Sequence, residues 1–154
     1  MIPNSLGRND WIDWIPVDHL SSTILELAGI GATEPLDSSR IFHCVNPSRV
    51  RWKDALLPIV QSRLGQRVSL NGNIEIVSLD EWLDALKKAA SKVDSKDEAK
   101  VSAFKLVPFL ASLSQGYARP EFDTTATRMA SQGLNSLAHV GAEWMNIWLD
   151  QWGY

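Results

Sequence analysis

A chain of 154 residues has the length of one domain, or of one lobe of a larger enzyme, and its 45 % hydrophobic and 21 % charged residues suffice for a packed core. A net charge of -3 gives no electrostatic reason to expect nucleic acid or an anionic membrane as partner. No apolar run reaches membrane-spanning length, residues 1–8 resemble neither a signal nor a transit peptide, and the single cysteine, Cys44, excludes an internal disulfide framework and fits a reducing, cytoplasmic setting.

Residues 1–10 are polar and rich in Gly and Asn, and read as a loop entering from an N-terminal half outside this sequence. Trp11 to Leu20 is an extended, mostly apolar run broken at Pro16, whose ring biases Ile15 toward extended geometry. Asp18 is the expected N-cap of the next helix, because its carboxylate can accept from first-turn amides and faces the positive helix end. Leu20, Ile24 and Leu27 mark one face of that helix, and Gly29 is its expected stop. Residues 32–39 read as a surface connection. Arg40 to Asn46, rich in β-formers and apolar on both faces, predicts a short strand buried in a sheet. A turn starts at Asn46, Pro47 and Ser48. Ser48 is the expected cap of a helix carrying Val50, Leu56, Leu57, Ile59, Val60 and Leu64, with Gly65 as its stop.

Ile74 to Ser78 predicts a second short strand, and Ser78 or Asp80 caps a helix through Trp82, Leu83, Leu86, Ala89 and Ala90. Two strand–turn–helix units of similar length imply parallel strands joined by crossover helices. Two strands alone make a marginal sheet, so these read as edge pieces of a larger one. Ser91 to Lys100 is charged and reads as a solvated loop or exposed helix start. Ala103 to Leu113 is apolar at helical spacing, with Pro108 kinking it or marking its start. Gly116 to Pro120 is a turn, and Phe122 to Thr127 opens a short helical or irregular piece ending near Gly133. Trp144, Trp148 and Trp152 share one helical face at a spacing of four, which core packing explains better than an aromatic ligand box.

His19, His43 and His139 have no metal-ligand spacing, so no metal site is assigned. On a strand, His43 and Cys44 would point to opposite faces and could not pair, and Cys44 is expected buried and inert. Ser48 and Ser78 lack a base and an orienting acid and are explained as caps. Asp80, Glu81 and Asp84 suit the head of a helix through its dipole.

Taken together, Trp14-Ile-Pro-Val-Asp18, Phe42-His-Cys-Val-Asn-Pro47 with Trp52, Ile76-Val-Ser-Leu-Asp-Glu-Trp-Leu83, Lys105-Leu-Val-Pro-Phe109, Phe122-Asp-Thr124 and the closing Trp144 to Trp152 carry a resemblance. Their order and spacing resemble the C-terminal part of terminal thioester reductase domains. These are extended short-chain dehydrogenases near the male-sterility and fatty acyl reductase group, found at the end of fungal nonribosomal peptide synthetase-like enzymes and carboxylic acid reductases. The resemblance runs from Trp11 to the end of the chain. It implies a helix-rich α/β fold with two or three short strands and about six helices, all of residues 1–154 forming one substrate-binding lobe. The Rossmann half would be largely absent from this sequence.

In the complete family domain the resemblance implies NADPH and hydride transfer to a carrier-bound thioester, releasing an aldehyde or alcohol. By that analogy Trp14, Pro16, Val17 and Asp18 line the substrate cleft. The sequence contains no Gly-x-x-Gly-x-x-Gly and no Tyr-x-x-x-Lys: Glu121 follows Tyr117 four places on, and Tyr154 is the last residue. No catalytic or cofactor-binding residue is therefore assigned, and the chain alone is expected to be inactive. The expected partners are an acyl carrier protein with its phosphopantetheine-bound substrate, or the missing Rossmann half. The rival readings are a non-catalytic module that binds such a partner and non-redox release of a Dieckmann type.

Overall fold

The computed structural model describes residues 1–31, 40–67, 74–92, 104–114 and 119–154. The connection expected over 32–39, most of the charged segment after Lys92, and the turn containing Tyr117 lie outside these. The described residues hold four strands of two residues each: β1 (Ile2–Pro3), β2 (Trp11–Ile12), β3 (Val50–Arg51) and β4 (Ile76–Val77). They also hold seven α-helices: α1 (Val17–Gly31), α2 (Leu57–Arg67), α3 (Leu79–Ala90), α4 (Val107–Leu113), α5 (Thr125–Ala130), α6 (Gln132–Asn135) and α7 (Ala142–Gln151). The chain is thus helix-rich with a few short strands. It divides into two compact units, one of Met1–Trp11, Arg51–Arg119 and Ala142–Tyr154, the other of Ile12–Val50 and Pro120–Gly141.

In the first unit, β1 runs parallel to β4 with Ile2 opposite Ile76 and Pro3 opposite Val77. Residues 1–10, expected as a loop, therefore supply a strand. Ile2 is buried, its N–H donates to the Glu75 carbonyl at 2.9 Å, and Pro3 sits where no ladder donor is required. The indole of buried Trp52 donates to the Pro3 carbonyl at 3.0 Å. Trp52 opens a π-type turn, Trp52–Leu56, that leads into α2. The helix expected from Ser48 therefore begins only at Leu57, because Val50 and Arg51 are extended in β3. Gly65 does not stop α2. It is buried inside the helix, which runs on to Arg67.

Pro108 marks the true start of α4, in its first turn. In α7 the buried residues are Met145 and Leu149, on the helix that packs against α2. Trp144 and Trp148, one position back around the helix, are half-buried and meet edge-on, with ring centroids 6.2 Å apart and planes at 80°. Trp152 is exposed, so the tryptophan stripe flanks the core face instead of forming it.

Of the two caps expected for α3, Ser78 and Asp80, it is Ser78 that caps it. The Ser78 hydroxyl accepts from the Glu81 N–H at 3.2 Å, and the Glu81 carboxylate accepts from the Ser78 N–H at 2.9 Å and from its hydroxyl at 2.7 Å. These bonds, the hydroxyl's first and the amide's second, hold the Glu81 carboxyl below its ordinary value of 4.5. Ser78→Ala is expected to cost about 1 kcal/mol of stability, read as a lower urea midpoint. A carboxyl depressed on folding stabilises above its unfolded value and loses that effect as pH falls through the lower folded one. The gap between Ser78→Ala and the parent should therefore narrow as pH falls below 4.5, while the part due to the Ser78 hydroxyl accepting from the Glu81 N–H persists.

The second unit packs α1 on α5 and α6. The Pro16 carbonyl accepts from the Leu20 N–H at 2.9 Å, so α1 starts at Val17 and Asp18 lies inside its first turn. Asp18 is not the N-cap; its charge still suits that end of the helix. Thr23 is buried, Leu20 and Leu27 are half-buried, and Ile24 is exposed, so the buried face is turned one position from the expected one. Gly29 does not end α1, which continues to Gly31. The core is Leu134, Leu137 and Val140 with the buried hydroxyls of Thr127 and Ser131. Ser131 caps α6 by accepting from the Leu134 N–H at 3.0 Å, and Glu26 accepts from the Gly133 N–H at 3.3 Å.

Candidate functional site

Three of the stretches that carry the sequence resemblance lie far apart in the chain and close together in the second unit. They are Trp14–Asp18, Phe42–Pro47 and Phe122–Thr124. Arg40 to Asn46 is not the buried strand that its composition predicts. It is irregular, and Ile41 is 81 % exposed. Side chains meet its backbone groups in place of a ladder: the Thr127 hydroxyl donates to the His43 carbonyl at 3.0 Å.

Asn46, 2 % exposed, is the centre of the cluster. Its backbone N–H donates to the Asp13 carbonyl at 2.9 Å, and its Nδ2 donates to the carbonyls of Trp14 at 3.1 Å and Ala138 at 2.9 Å. Its Oδ1 accepts from the Ser48 N–H at 2.9 Å. Ser48 is thus the end of a turn closed by an Asn side chain, and that is why it is not free to cap a helix.

His43 Nδ1 lies 3.0 Å from the Asp123 carbonyl, and a carbonyl only accepts, so Nδ1 carries the hydrogen. In the neutral ring Nε2 is then the acceptor. The imidazole is half-buried, with its ring 5.1 Å from that of Phe122. The Asp123 carboxylate accepts from the Thr125 N–H at 2.9 Å. Hydrogen bonds from Thr125, the side chain's first and the amide's second, hold its carboxyl below the ordinary 3.8. Arg49 and Glu121 form an exposed ion pair at 2.7 Å.

Of the four residues expected to line a cleft, Pro16 is buried, Trp14 is 39 % exposed, and Val17 and Asp18 are exposed at the head of α1. They form one continuous segment, with its Trp14 end held by Asn46. Cys44 is half-buried, contrary to expectation, because an irregular segment does not hide alternate side chains as a sheet does. The same unit carries a groove of about 480 Å³ lined by Arg40, Ile41, Phe42, Ala126, Met129 and Ala130. A cleft of about 570 Å³ in the first unit is lined by Pro58, Ile59, Ser62, Arg63, Gln66 and Asn146. There Arg63 is committed to Asp150 and the Tyr154 carbonyl. Among the described residues, no three His, Cys, Asp or Glu side chains are placed to hold a metal, and no helix is long and apolar enough to cross a membrane.

The chain is similar to one segment of carboxylic acid reductase, adenylate-forming reductase and nonribosomal peptide synthetase-like enzymes, which supports a place in their reductase-domain family. It is 35 % identical, over its whole length, to a carboxylic acid reductase of Neurospora crassa. Over 92 % of its length it is 33 % identical to the non-canonical nonribosomal peptide synthetase ascB of Acremonium egyptiacum, and 25 % identical to the adenylate-forming reductase Nps11 of Serpula lacrymans. The chain spans 14 % of the length of the first and third of these relatives and 12 % of the second. No protein-family model matches it.

Proposed function

We propose that the chain is the C-terminal substrate lobe of a thioester reductase domain, acting in NADPH-dependent release of carrier-bound acyl or peptidyl chains as aldehyde or alcohol. One observation carries this reading: Trp14–Asp18, Phe42–Pro47 and Phe122–Thr124 converge on Asn46 and His43, with Trp14, Val17 and Asp18 reaching solvent. The names of the relatives support reduction of a carboxylic acid, and the thioester and NADPH follow from the sequence resemblance. A lobe of this kind holds and orients the pantetheine-borne thioester, and the exposed Arg49–Glu121 pair joins residues next to two of the converging stretches.

The residues present do not fit the cofactor. The β4–α3 junction is the strand-to-helix turn nearest in form to a dinucleotide cradle. There the Glu81 N–H is taken by the Ser78 hydroxyl, and the Glu81 and Asp80 carboxylates would repel a pyrophosphate. On this reading NADPH belongs to the other half of the complete domain, and the chain alone does not turn over.

Isothermal calorimetry tests the proposal. The expected result is no heat with NADPH and saturable binding of a hexanoyl-loaded acyl carrier protein. Heat with NADPH would overturn the assignment of the cofactor to the other half. Silence toward the carrier would overturn the substrate-lobe reading. Carrier binding with no turnover when a Rossmann half is supplied in trans would favour the non-catalytic interaction module, which exposed Trp152 on the last turn would suit.

A further inference from the structure

We propose that Asn46 is a positioning residue that sets the Trp14–Asp18 segment for substrate, an inference that rests on the substrate-lobe reading above. A turn at Asn46–Ser48 requires only the Oδ1 acceptor, which an aspartate would supply equally well. The amide nitrogen is surplus to that turn. Both of its hydrogens are spent on the carbonyls of Trp14 and Ala138, and the backbone N–H of the same residue takes the Asp13 carbonyl. Two successive carbonyls, at residues 13 and 14, are therefore fixed from one point. Fixing two neighbouring carbonyls sets the rotation of the segment as well as its place, and so which way the Trp14 side chain leaves the backbone.

From Trp14 the constraint passes along a stiff path. Ile15 is restricted by the following proline, Pro16 is buried with a locked φ, and Val17 and Asp18 open α1. Val17, 82 % exposed, and Asp18 are thereby held at defined positions without packing of their own. Asn46 itself is out of reach of a ligand, so it acts through the segment it holds.

The test uses the whole chain and three variants. Asn46→Asp keeps the turn acceptor and the backbone bond and loses the two Nδ2 donors. Ser131→Ala removes a buried hydrogen bond of the same unit, the one from the Leu134 N–H at the cap of α6. Pro16→Ala leaves every Asn46 bond in place and frees the chain between Trp14 and Val17. Amide exchange and the Trp14 indole resonance are read by NMR, and affinity is read against the hexanoyl-loaded carrier protein.

Asn46→Asp is expected to shift the Trp14 resonance, speed exchange over residues 14–18 and weaken the carrier by about tenfold. Pro16→Ala should weaken it severalfold with the Asn46 side-chain resonances unmoved. Ser131→Ala should lower the Tm and leave affinity unchanged. Unchanged carrier affinity in both Asn46→Asp and Pro16→Ala would overturn the proposal, as would equal loss in Ser131→Ala. Should Asn46→Asp fail to fold, Pro16→Ala against Ser131→Ala decides alone. Failure of the unaltered chain to bind the carrier is recognisable before any substitution is made, and counts against the substrate-lobe reading itself.

Discussion

Gly7→Ala is expected to remove most of the stability of the first unit. Gly7 sits at φ +61°, a left-handed conformation in which a side chain costs about 1–2 kcal/mol. An added Cβ would also lie 2.1 Å from the Leu113 carbonyl oxygen and 2.7 Å from its carbon. Those are backbone atoms at the end of α4 and cannot rotate away like a side-chain tip. Relief requires moving α4 or the turn, and Leu113 is buried. With overpacking adding about 1–3 kcal/mol, the total of about 2–5 kcal/mol is a large fraction of what a domain possesses. Urea unfolding followed by tryptophan fluorescence should show the midpoint collapsing. An unchanged midpoint would mean that the turn re-forms at negative φ without disturbing α4.

Leu134→Ala should be nearly as severe in the second unit. Leu134 is fully buried in α6, on the turn capped by Ser131 and beside buried Leu137 and Val140. Truncation there loses the transfer free energy of three carbons and leaves a cavity, about 2–5 kcal/mol together. Ile41→Ala is the informative control. If Arg40 to Asn46 were a buried strand, Ile41 would be core and its truncation comparably costly. At 81 % exposed it should change stability by less than about 0.5 kcal/mol. Calorimetric melts of the two variants separate these cases, and an Ile41→Ala cost near that of Leu134→Ala would restore the strand.

What the sequence made legible was local. Ser78 was one of two caps that local residues offered α3, Pro108 was either a kink or the start that it proves to be, and the apolar spacing of α3 runs to Ala90, where the helix ends. Some of the misreadings depended on a distant partner and others on a near neighbour. Arg40 to Asn46 has the composition of a strand and becomes irregular because Thr127, over eighty residues away, satisfies the His43 carbonyl. Ser48 looks like a cap and is taken by Asn46. The tryptophan stripe of α7 is real in spacing, but α2 receives the neighbouring Met145 and Leu149.

At the candidate site the pattern repeats. Asn46-Pro47-Ser48 announces a turn from its own residues, and that much of Asn46 could be read. Its bonds to Trp14 and Ala138, which give it a role toward Trp14–Asp18, join stretches 32 and 92 positions away and leave no local trace. Cleft-lining residues were named through resemblance, and burial divides them: Pro16 is buried, whereas Trp14, Val17 and Asp18 reach solvent.

The pairing of β1 with β4 bears on chain entropy. Bringing Ile2 to Ile76 as a first event would close a loop of more than seventy residues, at about 4 kcal/mol, whereas its two ladder bonds contribute about 1 kcal/mol each. The bond from the Trp52 N–H to the Asp10 carbonyl, at 2.8 Å, shortens that loop beforehand, and the Trp52 indole then receives Pro3. Burial of Ile2 adds about 2 kcal/mol. The parallel pair is therefore a latch on an already gathered chain: Trp52 brings the N-terminal residues within reach, and the sheet records their arrival.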